Sequence, residues 1–245
     1  MSFWQGSISL FLTELKRSKW NFIVLVFLIF FAVTMTIELY AHILGFNENE
    51  AAASSFLGEY VFVLSFMGIG VMITFLYGAG FKMDLLAERL AYYRSLPIRT
   101  NQVVAARMIA IIATTLISML AYYIVIATGI YVLYEQVLPL TTYASHGLLL
   151  FSLMIVGNYC LLYFDLCASS TLYTIFSFVI SFGLLFLFIL MSALTDNQFS
   201  LIRWSYTLSE GHPFLAIILA IVIFILSSGL ALKLLGNSLK KRSFF

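Results

Sequence analysis

The feature that most constrains this chain is a set of apolar runs, each long enough to cross a lipid bilayer as a helix. Crossing about 30 Å of hydrocarbon takes about 20 helical residues. Six runs meet this length, at residues 21–44, 57–81, 103–134, 147–166, 171–194 and 213–235. With 62% hydrophobic and 10% charged residues, a water-soluble fold would lack the polar residues to cover its surface. We therefore predict an all-α membrane protein with six transmembrane helices in a single membrane domain.

The basic residues indicate how these spans are oriented. An even number of spans puts both termini on one side, and all of the 13 Lys and Arg except Arg203 fall on that side. Cytoplasmic loops of membrane proteins carry the excess of Lys and Arg. We therefore expect both termini in the cytoplasm and the chain in a bacterial plasma membrane. Because the basic residues are confined to these loops and do not form a patch with exposed aromatics, we expect no nucleic-acid partner.

Residues 1–20 precede the first span and have an amphipathic pattern. In a helix, the apolar side chains would lie roughly along one side, at Phe3, Trp4, Ile8, Phe11 and Leu15. A short interfacial helix in the inner leaflet, in contact with membrane lipids, fits this pattern. The alternative is a tail continuous with the first span.

The most informative polar segment is the cytoplasmic loop 82–102, between the second and third spans. Its residues Leu86, Leu90 and Tyr93 recur at three- and four-residue steps, which gives a helix one apolar face. Pro97 has no amide hydrogen to donate and disfavours helix at the residue before it, so this helix ends there. The residue pattern of this loop predicts a helix, then a break at Pro97, and then the helix of the third span.

The charges on this loop helix leave two interpretations open. Asp84 and Glu88 are four residues apart and share a face, and neither has a Lys or Arg at the favourable three- or four-residue spacing. In the first interpretation, the two carboxylates are solvated, or the fold of the loop pairs them with Arg89 or Arg94. In the second, they dock against a cytoplasmic protein. Periodicity does not choose between these possibilities.

The same loop carries a short motif. It reads Glu88-Arg89, then Arg94-Ser95-Leu96-Pro97-Ile98-Arg99, and then Val103-Val104-Ala105-Ala106-Arg107 at the start of the third span. This motif, together with the N-terminal helix and the six spans, resembles the permease subunit of a type 2 ABC exporter. The resemblance covers nearly the full length in topology and depends, in sequence, on this one loop.

The resemblance implies partners and a role for the loop. In the family this loop carries the coupling helix, which sits in a cleft of a cytoplasmic ATPase subunit; that subunit binds ATP and Mg, and the permease holds no cofactor. The positions carried over are Asp84, Glu88, Arg89, Arg94, Leu96, Pro97, Ile98 and Arg99. A second permease copy, or a sibling permease, would face this chain across the transport path.

Relatives also fold the outer loop before the last span into short re-entrant helices. The loop 195–213 of this chain is amphipathic, and its Trp204 is a candidate for an outer gate. An interfacial aromatic belt without a gating role explains the same residues equally well.

Few polar residues lie at membrane depth, where a charge needs a partner or a cavity. Glu38 and Glu59 are near the outer ends of the first two spans, where they could snorkel, pair with Arg203 or rim an outer vestibule. Asn158 lies in the middle of the fourth span, where a hydrogen-bonded helix contact explains it. With Trp204, these are the candidates for the transport path or outer gate.

Motifs for enzymatic chemistry are missing from the sequence. It has no phosphate-binding loop of the G-x-x-x-x-G-K-[ST] type and no G-x-S-x-G motif. The histidines His42, His146 and His212 are placed near the outer ends of spans and far apart, without metal-ligand spacing. We therefore expect a transport subunit, with no metal, and ATP hydrolysis in a separate chain.

The cargo and the alternatives follow from composition. The 24 Phe and 14 Tyr residues favour a hydrophobic or amphipathic cargo, such as an antimicrobial peptide, a lipid or a drug. One alternative is an ion-coupled secondary transporter, which should show broken helices and several buried carboxylates. Another is a non-transporting membrane scaffold, which would not copurify with an ATPase.

Overall fold

The computed structural model describes residues 3–17, 21–44, 58–67, 100–135, 139–167, single positions between 175 and 190, and 200–241. Seven helices lie within these ranges. They are α1 (Phe3–Arg17), α2 (Asn21–Ile43), α3 (Gly58–Met67), α4 (Thr100–Tyr134), α5 (Leu140–Cys167), α6 (Leu201–Gly211) and α7 (Pro213–Lys241). The prediction of an all-helical fold is confirmed.

Three of the described helices are long and apolar enough to cross a membrane. These stretches are Asn101–Tyr134, Leu140–Phe164 and Pro213–Ser238. Shorter apolar helical stretches cover Leu25–Ala41 and Gly58–Met67. The predicted spans 57–81 and 171–194 lie largely outside the described residues, so the number of six spans and the side of each terminus stay predictions.

The fourth predicted span and the helix that corresponds to it begin at different residues. The prediction places the start at 147, whereas α5 begins at Leu140. The carbonyl oxygen of Pro139 accepts a hydrogen bond from the amide of Tyr143 at 3.0 Å, which starts the helix. The hydroxyl of Ser145 donates to the carbonyl of Thr141 at 2.9 Å, so polar residues typical of a loop are accommodated within the helix.

The core is organised around α4 and α5. The α4 helix packs against α1, α2, α5 and α7, and α5 packs along α7 and against α6. The largest buried cluster joins side chains of α2, α3, α4, α5 and α6, and it contains the rings of Phe62, Phe66 and Tyr122. Their centroids lie 4.8 to 5.3 Å apart in tilted and edge-on arrangements, which aromatic rings prefer to face-to-face stacking.

Close backbone approach fixes α2 between two neighbours. A Cβ atom at Gly58 of α3 would lie 2.4 Å from the carbonyl oxygen of Met35, a separation that real side chains do not adopt. A Cβ atom at Gly129 of α4 would lie 2.7 Å from the Cδ1 atom of Ile37. Small residues at helix contacts let apolar helices pack tightly where the hydrophobic effect does not drive them together.

The α1 helix packs against the first turns of α4. Its Gly6 and Ser7 are buried, and a Cβ atom at Gly6 would lie 2.8 Å from the Nε2 atom of Gln102. Among the described side chains of α1, the exposed large apolar ones are Trp4, Ile8 and Leu12, at four-residue steps. The described part of the helix therefore turns small residues to the protein and large apolar side chains outward; its place at a lipid surface stays a prediction.

Candidate functional site

The predicted coupling residues lie outside the part of the chain that the structure describes. This holds for Asp84, Glu88, Arg89, Arg94, Leu96, Pro97, Ile98 and Arg99. The chain is described again from Thr100, where α4 begins, three residues after Pro97. The other four predicted residues, Glu38, Glu59, Asn158 and Trp204, lie within the described part of the chain.

The α6 helix lies within the predicted amphipathic loop 195–213 and is separated from α7 by one residue. Ser200 caps its N-terminus, where the Ser200 Oγ accepts a hydrogen bond from the amide of Arg203 at 3.0 Å. At the other end, the amide of His212 donates to the carbonyl of Leu208 at 2.8 Å, while the carbonyl of His212 accepts from Ala216 at 3.1 Å. One residue thus ends α6 and starts α7.

The two faces of α6 differ in character. The face towards the bundle buries Ile202, Ser205, Tyr206 and Ser209. Burial raises the pKa of the Tyr206 phenol, and the charge of Glu210 raises it further, so this group stays a neutral hydroxyl at ordinary pH. Trp204 is 46% exposed on the other side of the helix. The predicted gate residue therefore faces away from the bundle of its own chain.

Glu59 joins α3 to the start of α6. It is only 2% exposed, and its Oε1 atom accepts a hydrogen bond from the amide of Ile202 at 2.8 Å and another from the hydroxyl of Ser200. A carboxylate at this end of a helix also meets the positive end of the helix dipole. Glu59 thus lies inside the described part of the protein as a helix cap. That it snorkels or rims a vestibule stays a prediction.

Glu38 is in a different environment from Glu59. It is exposed on α2, on the side that also exposes Phe30 and Thr34. The structure therefore places one predicted carboxylate on the surface of the bundle and the other inside it, and it does not combine the two into one acidic site. The prediction that Glu38 snorkels or lines a path stays a prediction.

His146 is the centre of a buried polar network near α6. Its ring is fully buried, its Nε2 atom is 2.7 Å from the hydroxyl of Tyr40, and its Nδ1 atom is 3.0 Å from the Oγ atom of Ser205. The ring also meets the edges of Tyr123 and Tyr206 at centroid distances of 5.8 and 5.7 Å. One imidazole thereby connects α2, α5 and α6.

Further hydroxyl groups surround this network. The Oγ1 atom of Thr36 lies 2.6 Å from the hydroxyl of Tyr122, which joins α2 to α4. The hydroxyl of Tyr143 donates to the carbonyl of Tyr123 at 3.0 Å, which joins α5 to α4. Buried or partly buried polar contacts thus link α2, α4, α5 and α6 to one another in addition to apolar packing.

Asn158 makes a second, separate set of polar contacts. Its Nδ2 atom donates to the carbonyl of Phe66 at 2.9 Å and to the carbonyl of Met154 at 3.0 Å, and lies 3.4 Å from the Oγ1 atom of Thr115. It lies twelve residues beyond His146, or about 18 Å at the helical rise of about 1.5 Å per residue. Asn158 therefore joins α3, α4 and α5 away from the network at His146.

The sequence interpretation missed His146 because it began the fourth span one residue too late to include it. The true start of α5 at Leu140 puts His146 seven positions inside a membrane-length helix. An ionisable residue at that depth is by default a candidate functional residue. Recognising Pro139 as the start of a helix would have been enough to find it.

Geometry also limits what these groups do chemically. Both ring nitrogens of His146 are engaged with hydroxyl groups, and the carboxylate of Glu59 is engaged with the end of α6. Within the described residues these contacts tie helices together.

Searches against family models, curated proteins and solved structures found no match to the chain.

Proposed function

We propose that this chain is the permease subunit of a type 2 ABC exporter that works with separate cytoplasmic ATPase subunits and a second permease. The observation that carries the proposal is the motif from Glu88 to Arg99, placed directly before the long apolar helix α4. The acidic and basic helix that the sequence predicts before Pro97 would suit docking against another protein. The α4 helix would suit passing a displacement of that contact into the membrane.

The proposed topology has six spans with both termini in the cytoplasm. The three long helices and the two shorter apolar stretches correspond to five of these six spans, and the distribution of Lys and Arg supports the orientation. In this topology α1 and the start of α4 lie on the inner side. The α6 helix, Glu59 and His146 then lie at the outer side.

The α4 helix offers a direct mechanical route between the two sides. It has 35 residues, so it is about 50 Å long. Its first turn packs against α1 through Gln102, and its middle carries Tyr122, which contacts α2 through Thr36. A displacement of the coupling loop by the ATPase would therefore move α1 and α4 together and reach the outer half of the bundle.

The cargo is proposed from the surfaces that the helices present. The α7 helix exposes large apolar side chains along its length, among them Phe214, Ile218, Ile225 and Leu230. Such faces suit contact with lipid and with a hydrophobic or amphipathic cargo, such as a peptide, a lipid or a drug.

The proposal is tested by purifying the tagged chain from its native membranes and measuring ATP hydrolysis in the purified material. We expect a copurifying ATPase whose phosphate-binding loop is encoded by a neighbouring reading frame. The double substitution Glu88→Ala, Arg89→Ala should abolish this copurified activity without reducing membrane insertion. The control replaces Lys16 and Arg17, charges outside the loop, by Ala and should retain the activity. If the Glu88 and Arg89 variant copurified with as much ATPase activity as the unchanged chain, the coupling role would be refuted.

One observation favours the ion-coupled alternative. Glu59 and His146 are ionisable groups buried within the bundle, as proton- or ion-coupled transporters require. The two functions differ in their source of energy. An ion-coupled transporter keeps working when ATP is depleted and stops when an ionophore collapses the gradient, whereas the exporter does the opposite.

A further inference from the structure

We propose that Asn158 and Thr115 form a binding site for a single buried water molecule where α3, α4 and α5 meet. Two groups at this contact lack a hydrogen-bond partner among the described residues, and one of them is an acceptor while the other is a donor. One water molecule satisfies both. The proposal depends on contacts within the chain, and it holds whether or not the protein is an exporter.

The neighbours of Asn158 fix the orientation of its side-chain amide. The Nδ2 atom lies 2.9 Å from the carbonyl oxygen of Phe66 and 3.0 Å from that of Met154. Carbonyl oxygens only accept hydrogen bonds, so the nitrogen, which carries two hydrogens, must face them. The Oδ1 atom of the same amide therefore lies on the other side. It is buried, and no described residue donates a hydrogen bond to it.

Thr115 supplies the matching donor. Its side chain is fully buried, and its Oγ1 atom lies 3.4 Å from the Nδ2 atom of Asn158, whose two hydrogens serve the closer carbonyl oxygens. The hydroxyls of Thr114 and Ser118 each donate at 2.7 Å to a carbonyl one turn back in α4. The Thr115 hydroxyl makes no such bond to a described residue, so its hydrogen is free to meet a ligand.

The surroundings of these two groups are apolar. Phe66, Met154 and Ile155 are all buried next to the contact, with exposed fractions of 0 to 2%. A buried polar atom without a hydrogen bond destabilises a fold, and such atoms are therefore rarely left unpaired. Buried water molecules occupy sites of this kind and bond to the polar groups that the protein itself leaves unsatisfied. Here the water donates to Oδ1 of Asn158 and accepts from the hydroxyl of Thr115.

Water fits this site better than a metal ion does. Ions such as Ca²⁺ take about six or more oxygen ligands, usually with carboxylates among them. The contact offers two neutral oxygens, and no group of three or more His, Cys, Asp or Glu within the described ranges could hold a metal. The ligand is therefore a small neutral molecule that donates one hydrogen bond and accepts another.

The test is X-ray radiolysis of the full chain in its native membranes, followed by mass spectrometry of methionine oxidation. Radiolysis turns water into hydroxyl radicals, which oxidise the side chains beside a bound water even when those side chains are buried. Met154 lies one helical turn from Asn158 and is 2% exposed. Met108 is 4% exposed and lies in a separate, mainly apolar cluster. We expect oxidation of Met154 to be several-fold faster than that of Met108.

Two matched substitutions on α4 show whether the site itself holds the water. Thr115→Val exchanges the hydroxyl for a methyl group of similar size and leaves the bonds of Asn158 to Phe66 and Met154 in place. It should lower the oxidation rate of Met154 to near that of Met108. Thr114→Val removes the neighbouring hydroxyl, which bonds within its own helix, and should leave the oxidation rate of Met154 unchanged.

Three results would overturn the water site. The first is equal oxidation of Met154 and Met108 in the unchanged chain, a comparison that needs no substitution. The second is a rate at Met154 that Thr115→Val leaves unchanged or raises, because the radicals would then come from bulk water that enters as the bundle opens. The third is an equal fall in the Thr115→Val and Thr114→Val variants, which would indicate a general effect on α4.

Discussion

Individual polar side chains decide which helices of this protein meet. Buried hydroxyl, amide and imidazole groups in an apolar surrounding require hydrogen-bond partners. Here several of those partners lie on other helices: Thr36 on α2 bonds Tyr122 on α4, and Asn158 on α5 bonds a backbone carbonyl of α3. Apolar contacts could slide along one another, whereas these bonds exist in only one alignment.

Asn158 should contribute measurably to stability through this bond. We expect Asn158→Leu to lower the free energy of unfolding by about 1 kcal/mol, the order found for hydrogen bonds between helices in membranes. Thermal unfolding in detergent, followed by circular dichroism, measures the change. Ser152→Ala is the control, because the Ser152 hydroxyl bonds the carbonyl of Leu148 in its own helix. Equal shifts in the two variants would contradict the bridging role.

Loss of the Tyr40 hydroxyl should lower the stability of the protein, because it leaves a buried group without a hydrogen-bond partner. Tyr40→Phe keeps the ring but leaves the Nε2 atom of the buried His146 without its partner, which we expect to cost about 1–2 kcal/mol of stability. Tyr131→Phe removes a hydroxyl from a side chain that is 59% exposed and should change nothing. Chemical unfolding in mixed micelles compares the two variants. If Tyr40→Phe left the stability unchanged, the imidazole of His146 would have found another hydrogen-bond partner.

At the level of helices, packing depends on where backbones approach. The contact between α2 and α3 at Gly58 brings the position of a Cβ atom within 2.4 Å of a carbonyl oxygen. A backbone atom cannot rotate away as the end of a side chain can. The helices α2 and α3 must therefore move apart to admit any larger residue at position 58.

Gly58→Ala should consequently be destabilising although it adds one methyl group. We expect a loss of about 1–3 kcal/mol, as for other overpacked cores, and a lower unfolding temperature in detergent. Gly229→Ala is the matched control, because a Cβ atom at that helical glycine of α7 meets nothing within 4 Å. If the two variants unfold at the same temperature, the approach at Gly58 is not tight.

Across the whole molecule, the proposed topology makes a prediction that needs no knowledge of cargo. Both termini should be cytoplasmic, because the basic residues lie on their side. A green fluorescent protein fused to the C-terminus should fluoresce, and an alkaline phosphatase fused there should be inactive. The same phosphatase inserted after Thr207 should be active. An active phosphatase at the C-terminus would reject its cytoplasmic placement.

The long apolar helices were predictable, because continuous apolar runs of that length have few other uses. The contacts between helices were not, because α2, α4 and α5 are apolar on most sides and their residue patterns mark no buried face. Glu59 was correctly picked out as a costly charge, yet its role depends on Ser200 and Ile202, which are far away in sequence. The polar residues at the start of α5 concealed His146.

The adjacency of Gly58 and Glu59 links two of these contacts. Gly58 is where α3 touches the backbone of α2, and the next residue holds the end of α6. Glu59 reaches the amide of Ile202 through its own buried side chain, so two consecutive residues of α3 connect α2 to the start of α6. Pushing α2 sideways must either carry α6 with it or pull the carboxylate off its amide.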